Sequence, residues 1–124
     1  AAIEVKYTPV EVEEEEVDEQ QIFTVVEEMP SFPGGMGECM KFLGKNINYP
    51  SISQENGVQG RVIVQFVVNT DGSVVDPVVM RGVDPYLDKE ALRVIKMMPK
   101  WSPGKQRGKP VRVKYTVPVV FRLQ

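Results

Sequence analysis

The last fourteen residues alternate almost without interruption between apolar and other side chains. Apolar residues occupy every odd position from 111 to 123, whereas only Val120 breaks the pattern at the even positions. Successive side chains of a β-strand point to opposite faces, so this period of two predicts a strand with one buried face. A chain that ends in this way must build a sheet and cover one side of it.

A second alternating segment and a tight turn predict the rest of the sheet. Residues 61–69 alternate in the same way, and residues 73–80 follow directly after the turn sequence Asn69-Thr70-Asp71-Gly72. An Asp-Gly pair between two apolar runs is a strong hairpin signal. We therefore expect these two segments to pair as an antiparallel hairpin.

Two helices are predicted on either side of this hairpin. The first carries an apolar stripe at helical spacing, made of Met36, Met40, Leu43 and Ile47. The second has Asp84 as its N-cap and Pro85 at its first position, and Pro99 ends it. It is expected to bury Leu87, Ala91, Ile95 and Met98. Residues 105–109 read as a basic loop before the last strand.

The order helix, strand, strand, helix, strand predicts an α+β fold, with a three-stranded antiparallel sheet and two helices packed on one face.

The first part of the chain is acidic and the rest is basic. Residues 1–28 hold ten acidic groups and one basic group, whereas residues 29–124 hold seven acidic and fourteen basic groups. We expect an acidic flexible linker or tail over residues 1–29 and one folded domain over residues 30–124. The alternative is a tail that folds back on the basic body.

The amino-acid composition excludes most kinds of catalytic and cofactor-binding site. The chain has no histidine and a single cysteine, Cys39, so no zinc set, Ser-His-Asp triad or Cys-His pair can be assembled. We expect no enzyme activity, no metal and no cofactor. Asp84 and Asp88 are better explained as helix-terminal residues, and Trp101 and Cys39 as core. The scattered Lys and Arg residues do not predict nucleic-acid binding, and no apolar run approaches the length of a membrane span.

Pro118 identifies a candidate binding surface on the last strand. Proline lacks a backbone N–H and is tolerated inside a strand where that donor would face solvent, so we expect this strand at a sheet edge. The backbone groups of Arg112, Lys114 and Thr116 would then point outward. Unpaired edge groups can bind an extended segment of a partner, with Pro118 limiting the paired length. A merely protected edge is the alternative.

The order of several short motifs resembles the C-terminal domain of TonB, in the form found in Bacteroidetes. The resemblance covers about residues 30–124. Its motifs are Tyr49-Pro50, Gly57-Val58-Gln59-Gly60-Arg61-Val62, Thr70-Asp71-Gly72-Ser73-Val74, Leu87-Asp88-Lys89-Glu90-Ala91-Leu92, Trp101-Ser102-Pro103-Gly104-Lys105, Gly108-Lys109-Pro110-Val111 and Pro118-Val119-Val120-Phe121. Pro30-Ser31-Phe32-Pro33-Gly34-Gly35 is similar to the segment that precedes this domain in that lineage.

The resemblance implies a periplasmic domain, anchored to the inner membrane by an upstream segment absent from this chain, that binds the TonB box of outer-membrane receptors. Proton-driven motor proteins of the inner membrane would supply the force. The box would add as a strand to the last strand, with Tyr49-Pro50 near the receptor contact. The implied pairing residues are Val111, Arg112, Val113, Lys114, Tyr115, Thr116 and Val117. The basic Arg112 and Lys114 favour a box with acidic residues.

Two other functions fit the same residues. The resemblance extends to similar domains of membrane-bound peptidase-type signalling proteins, in which the domain is a sensor and transmits no force. The same edge also permits pairing with a second copy, which would make the domain a homodimerisation module. The sequence does not identify a receptor, a cargo or a motor protein.

Overall fold

In the computed structural model, which describes residues 20–124, the alternating C-terminal segment forms one strand of 13 residues. In chain order the elements are β1 (Ile22–Phe23), α1 (Met36–Asn46), α2 (Ser51–Glu55), β2 (Gly60–Val68), β3 (Val74–Arg81), α3 (Pro85–Lys96), β4 (Gly104–Gln106) and β5 (Lys109–Phe121).

An antiparallel ladder between β2 and β5 forms the centre of the sheet. It runs from Gly60 opposite Phe121 to Val68 opposite Val113. On its other edge β2 pairs antiparallel with β3, so the predicted hairpin is confirmed. Gly72 in the connecting turn has a φ of 87°, a conformation that favours glycine. The two alternating segments, β2 and β5, thus lie side by side in the sheet.

The helices cover one face of this sheet. The side chain of Asp84 accepts a hydrogen bond from the Leu87 N–H at 2.6 Å, so the predicted N-cap of α3 is confirmed. Side chains of α1 and α3 pack on the even positions of β2 and the odd positions of β5. The fully or nearly buried members of this core are Phe32, Cys39, Leu43, Val62, Val64, Phe66, Val68, Leu87, Ala91, Val94, Ile95, Trp101, Val117, Val119 and Phe121. The fold is α+β with two layers.

The first helix packs most of the predicted stripe against the core, namely Met40, Leu43 and Ile47, and it also buries Cys39. Cys39 and Leu43 are buried, whereas Met36 in the first turn is 41% exposed and Met40 is partly buried. A second, five-residue helix, α2, was not predicted, because it is too short to show a helical period. Its buried Ser53 donates its hydroxyl hydrogen to Asp84 at 2.8 Å.

The sheet contains more strands than the sequence predicts. Its order is β1-β5-β2-β3, and β4 pairs separately with β5, so the prediction of three strands is wrong in number. Residues 105–109 form a tight hairpin and not a loop, with Gln106 opposite Lys109. Arg107 and Gly108 have φ values of 50° and 74°, the pattern of a two-residue hairpin turn.

Part of the predicted acidic tail contacts the body. β1 runs parallel to β5, and Val26 is buried together with Val111 and Val113. The backbone of Glu28 forms an isolated antiparallel β-bridge with Lys105 in β4. Ordered contacts therefore begin before the boundary that the sequence placed at residue 29. Residues 1–19, which make up most of that tail, lie outside the described residues, so the two-part division stays a prediction.

Candidate functional site

Pro118 determines which side of β5 faces away from β2. It lies opposite Ile63, and because it has no N–H to donate, this pair is a non-hydrogen-bonded one. Successive residues of a strand direct their backbone groups to alternate sides. Arg112, Lys114 and Thr116 therefore direct their N–H and C=O groups to the side opposite β2. This side of β5, here called the outer edge, is the candidate site.

The outer edge is occupied at its beginning. β1 pairs with it in parallel, with Ile22 opposite Arg112 and Phe23 opposite Val113. The prediction that the last strand lies outermost is therefore wrong at these two positions. The physical reason is the short apolar segment within the acidic region, which supplies a strand inside the predicted flexible linker.

Beyond Val113 the outer edge is open. In the part of the chain that the structure describes, no strand lies outside Lys114, Thr116 or Pro118. The side chains of Lys114 and Thr116 are also exposed. A row of outward N–H and C=O groups without a strand partner is a template for strand addition.

The odd residues of the predicted site hold β5 in place on the core. Val111, Val113 and Val117 are buried. The ring of Tyr115 packs against Trp101, with ring centroids 5.1 Å apart. These side chains fix the strand on the core, and through it they fix the direction of the outer-edge groups.

Arg112 has a structural role that the sequence did not predict. Its Nε donates to the side chain of Asn69 at 2.9 Å, and its Nη1 donates to the carbonyl of Gln20 at 3.3 Å. The third guanidinium nitrogen, Nη2, lies 4.0 Å from a carboxylate oxygen of Asp76. The side chain is 20% exposed. Through its hydrogen bonds Arg112 connects the β2–β3 turn and the chain before β1 to β5. Lys114 is the basic residue of the pair that faces solvent.

Tyr49 and Pro50 support the opposite end of β5. The Tyr49 ring packs edge-on against Phe121 with centroids 5.6 Å apart, and its hydroxyl donates to the carbonyl of Val58. Loss of solvation, together with the charge of Asp84, raises the pKa of Tyr49. Pro50 lies just before α2. The structure thus brings this pair to the last residue of β5 and not to its beginning, where Arg112 lies.

The remaining chemical candidates are accounted for by packing and capping. Cys39 is fully buried, and desolvation raises the pKa of its thiol to about 11. Asp88 accepts a hydrogen bond from the Val83 N–H at 2.9 Å. Within residues 20–124 no group of three or more His, Cys, Asp or Glu side chains is placed to hold a metal ion. No helix in the same residues is both long and apolar enough to cross a membrane.

Ile22 and Phe23 are the residues at this site that the sequence reasoning missed. Together with Thr24, Val25 and Val26 they form a run of β-branched and aromatic residues inside an acidic segment. Such a run has a high strand propensity, so it was the signal that could have revealed β1.

Comparisons with known proteins agree with this fold. The family model for the Gram-negative bacterial TonB protein C-terminal domain matches residues 45–123. A solution structure of the Helicobacter pylori TonB C-terminal domain is similar to this chain with a TM-score of 0.56 and 26% identity, covering 70% of this chain and 91% of that one. A longer fragment of the same H. pylori domain is similar with a TM-score of 0.50 and 23% identity, covering 72% and 82% of the two chains.

The Pseudomonas aeruginosa TonB C-terminal domain shows a TM-score of 0.46 and 25% identity, covering 63% of this chain and 81% of that one. No curated protein matches the chain. The family model spans more than half of the sequence, from before Tyr49 to beyond the end of β5. The chain therefore belongs to the family of the Gram-negative bacterial TonB protein C-terminal domain.

Proposed function

We propose that the outer edge of β5 binds the TonB box of outer-membrane receptors by strand addition, centred on residues 114–117. One observation carries this proposal: the edge accepts a strand from its own chain at Arg112 and Val113, and it is open from Lys114 onward among the described residues. The strand β1 supports the proposal, because it already pairs with β5 on that side.

In this proposal the domain acts in the periplasm as the receptor-binding part of an energy transducer. An upstream segment would anchor it to the inner membrane, where motor proteins driven by the proton gradient would pull on it. Membership of the family supports this assignment. The proposed role requires a binding edge and a load-bearing fold, and it assigns no catalytic residue.

The proposed complex is weak at equilibrium but suited to bearing force. Each outward residue offers one donor and one acceptor, and each new backbone bond contributes a net ~1 kcal/mol. After the cost of ordering the peptide, this predicts an affinity of roughly micromolar or weaker. A pull along β5 loads all the added bonds together, and the long ladder with β2 passes the load to the rest of the sheet.

Thr116→Pro tests the proposal directly. It removes an outward N–H, and Pro118 already shows that this side of β5 tolerates proline. Peptides from receptor N-termini would be titrated into ¹⁵N-labelled protein. We expect amide shifts at residues 114–117 and about five- to tenfold weaker binding by the variant, as expected from one lost hydrogen bond.

Val120→Pro is the matched control, because it also removes an outward N–H but lies beyond Pro118. It should bind like the wild type. Equal binding by Thr116→Pro and the wild type, or shifts confined to the helices, would contradict the proposal. Sedimentation over a range of concentrations distinguishes peptide binding from pairing of the same edge between two copies.

A further inference from the structure

The short strand β1 lies on the same edge that the proposed peptide would use. We propose that β1 is a displaceable intramolecular strand that competes with the partner peptide for the first part of the outer edge. This inference rests on the proposed function, since it concerns how that same edge becomes available. A peptide that pairs at Thr116 can extend to Arg112 only if β1 leaves.

The attachment of β1 is small compared with that of the other strands. It forms two residue pairs with β5, whereas β2 forms nine. Ile22 is 37% exposed and belongs to neither cluster of buried core residues. Phe23 is partly buried beside Val26, and the Gln20 carbonyl accepts a hydrogen bond from Arg112 at 3.3 Å. Local openings of a protein begin in elements with few buried contacts, and β1 is such an element.

The chain directly after β1 is fixed far more firmly. Val26 is 6% exposed and packs on Val111 and Val113. Glu28 and Lys105 exchange two backbone hydrogen bonds of 3.1 and 2.8 Å. Ser31 and Ser102 exchange two more, of 3.0 and 2.8 Å. β1 can therefore leave the edge while the segment from Val26 onward keeps its place, so its release requires no unfolding of the body.

The position of β1 in the chain indicates which force would release it. Residues upstream of Gln20 are joined in sequence to the domain through β1, so a pull on that segment would act on β1 before it reaches Val26. Pulling would thus clear Arg112 and lengthen the edge available to the peptide. The part of the outer edge open to the peptide would be shorter without tension and longer under tension.

A disulfide that locks β1 to β5 tests the inference. Ile22 and Arg112 are direct partners, so the double variant Ile22→Cys with Arg112→Cys can close a bond across the pair. The oxidised and reduced forms are identical in sequence and therefore serve as matched controls. If β1 must leave, the oxidised form should bind the peptide at least about fivefold more weakly than the reduced form, since apparent affinity falls with the fraction of competent molecules. Equal affinity would overturn the inference while leaving the proposed function intact.

A pair of proline variants tests whether weaker pairing of β1 strengthens peptide binding. In this register Arg112 directs its backbone at β1, so the β1 residues on either side of Ile22 complete its hydrogen bonds. Phe23→Pro removes one of these donors, whereas the N–H of Ile22 points away from β5. We expect Phe23→Pro to bind the peptide more tightly than Ile22→Pro, by about threefold or more. Tighter binding by Ile22→Pro would count against the inference.

Amide exchange provides a test that needs no peptide. In free wild-type protein the Phe23 amide should exchange at least about 100-fold faster than the Val117 amide, because β1 opens locally. Comparable protection of the two amides would overturn the inference. If no receptor peptide binds any form, the proposed function fails, and this exchange measurement still decides whether β1 opens on its own.

Discussion

Ile22 lies opposite Arg112 in a parallel pair, and the guanidinium of the same arginine binds the carbonyl of Gln20 at 3.3 Å. Arg112 therefore holds the N-terminal strand with its backbone and the chain before it with its side chain. A residue that the sequence assigned to partner binding is thus part of the fold. This relationship changes what its substitution should do.

Arg112→Ala should destabilise the domain by about 1–2 kcal/mol, because it removes side-chain hydrogen bonds to Asn69 and Gln20. Urea unfolding followed by the fluorescence of Trp101 measures the change. Lys114→Ala is the control on the same strand, since its side chain is exposed, and it should change stability by less than about 0.5 kcal/mol. An Arg112 variant as stable as its Lys114 counterpart would show that the guanidinium contacts contribute nothing.

Lys114→Glu should weaken binding of acidic receptor peptides without altering the fold. Lys114 is exposed on the open part of the outer edge, so its charge is available to a partner. We expect about three- to tenfold lower affinity at low salt and a smaller effect at high salt, as for an exposed charge pair. Lys45→Glu on α1 changes the net charge equally and is the control. The same loss in both variants, measured by fluorescence titration, would argue against a local role for Lys114.

Gly72→Ala should be among the most damaging small substitutions in the protein. Gly72 has a φ of 87°, and a Cβ at this position would lie 2.0 Å from the carbonyl oxygen of Trp101. Gly108 has a φ of 74°, and a Cβ added there would meet no heavy atom within 4 Å, so this position isolates the backbone effect alone. We expect Gly108→Ala to cost about 1–2 kcal/mol and Gly72→Ala at least ~2 kcal/mol more. Thermal unfolding of both variants checks the difference.

The β2–β3 turn should lose a stabilising interaction at acidic pH. Hydrogen bonds from the Ser73 hydroxyl and the Ser73 N–H hold the pKa of Asp71 below its usual range, and Lys100 adds a smaller effect in the same direction. Because the folded-state pKa is the lower one, the contribution is complete above the unfolded-state pKa. It is lost as the pH falls through the folded-state pKa. Ser73→Ala should move the pKa of Asp71 back toward its usual value, as measured by carboxyl-carbon NMR; an unchanged pKa would assign the shift to another cause.

The central sheet and α3 were predictable because their signals are local. The alternation in β2 and β5 requires that these strands bury one face, and the Asp-Gly turn joins β2 to β3. Asp84 caps α3 because its side chain needs only the N–H of Leu87, three residues away. In each case the residues that determine the element are also the residues that form it.

The elements that define the site depend on contacts between distant parts of the chain. β1 is two residues long and is stable only against β5, so no periodicity reveals it. β4 depends on Arg107 taking a positive φ, which the sequence does not signal as a glycine would. The role of Arg112 arises from Asn69 and Gln20, which are 43 and 92 residues away in the chain. Strand addition at the outer edge remains a prediction about a surface that these elements leave open.

Protection of the Thr116 amide against hydrogen exchange tests the central claim most directly. In the free protein this amide should exchange rapidly, whereas those of Tyr115 and Val117, which face β2, should be protected. Addition of a receptor peptide should slow exchange at Thr116 and leave its two neighbours unchanged. A Thr116 amide that is protected without peptide, or that exchanges equally fast with bound peptide, would contradict strand addition at this edge.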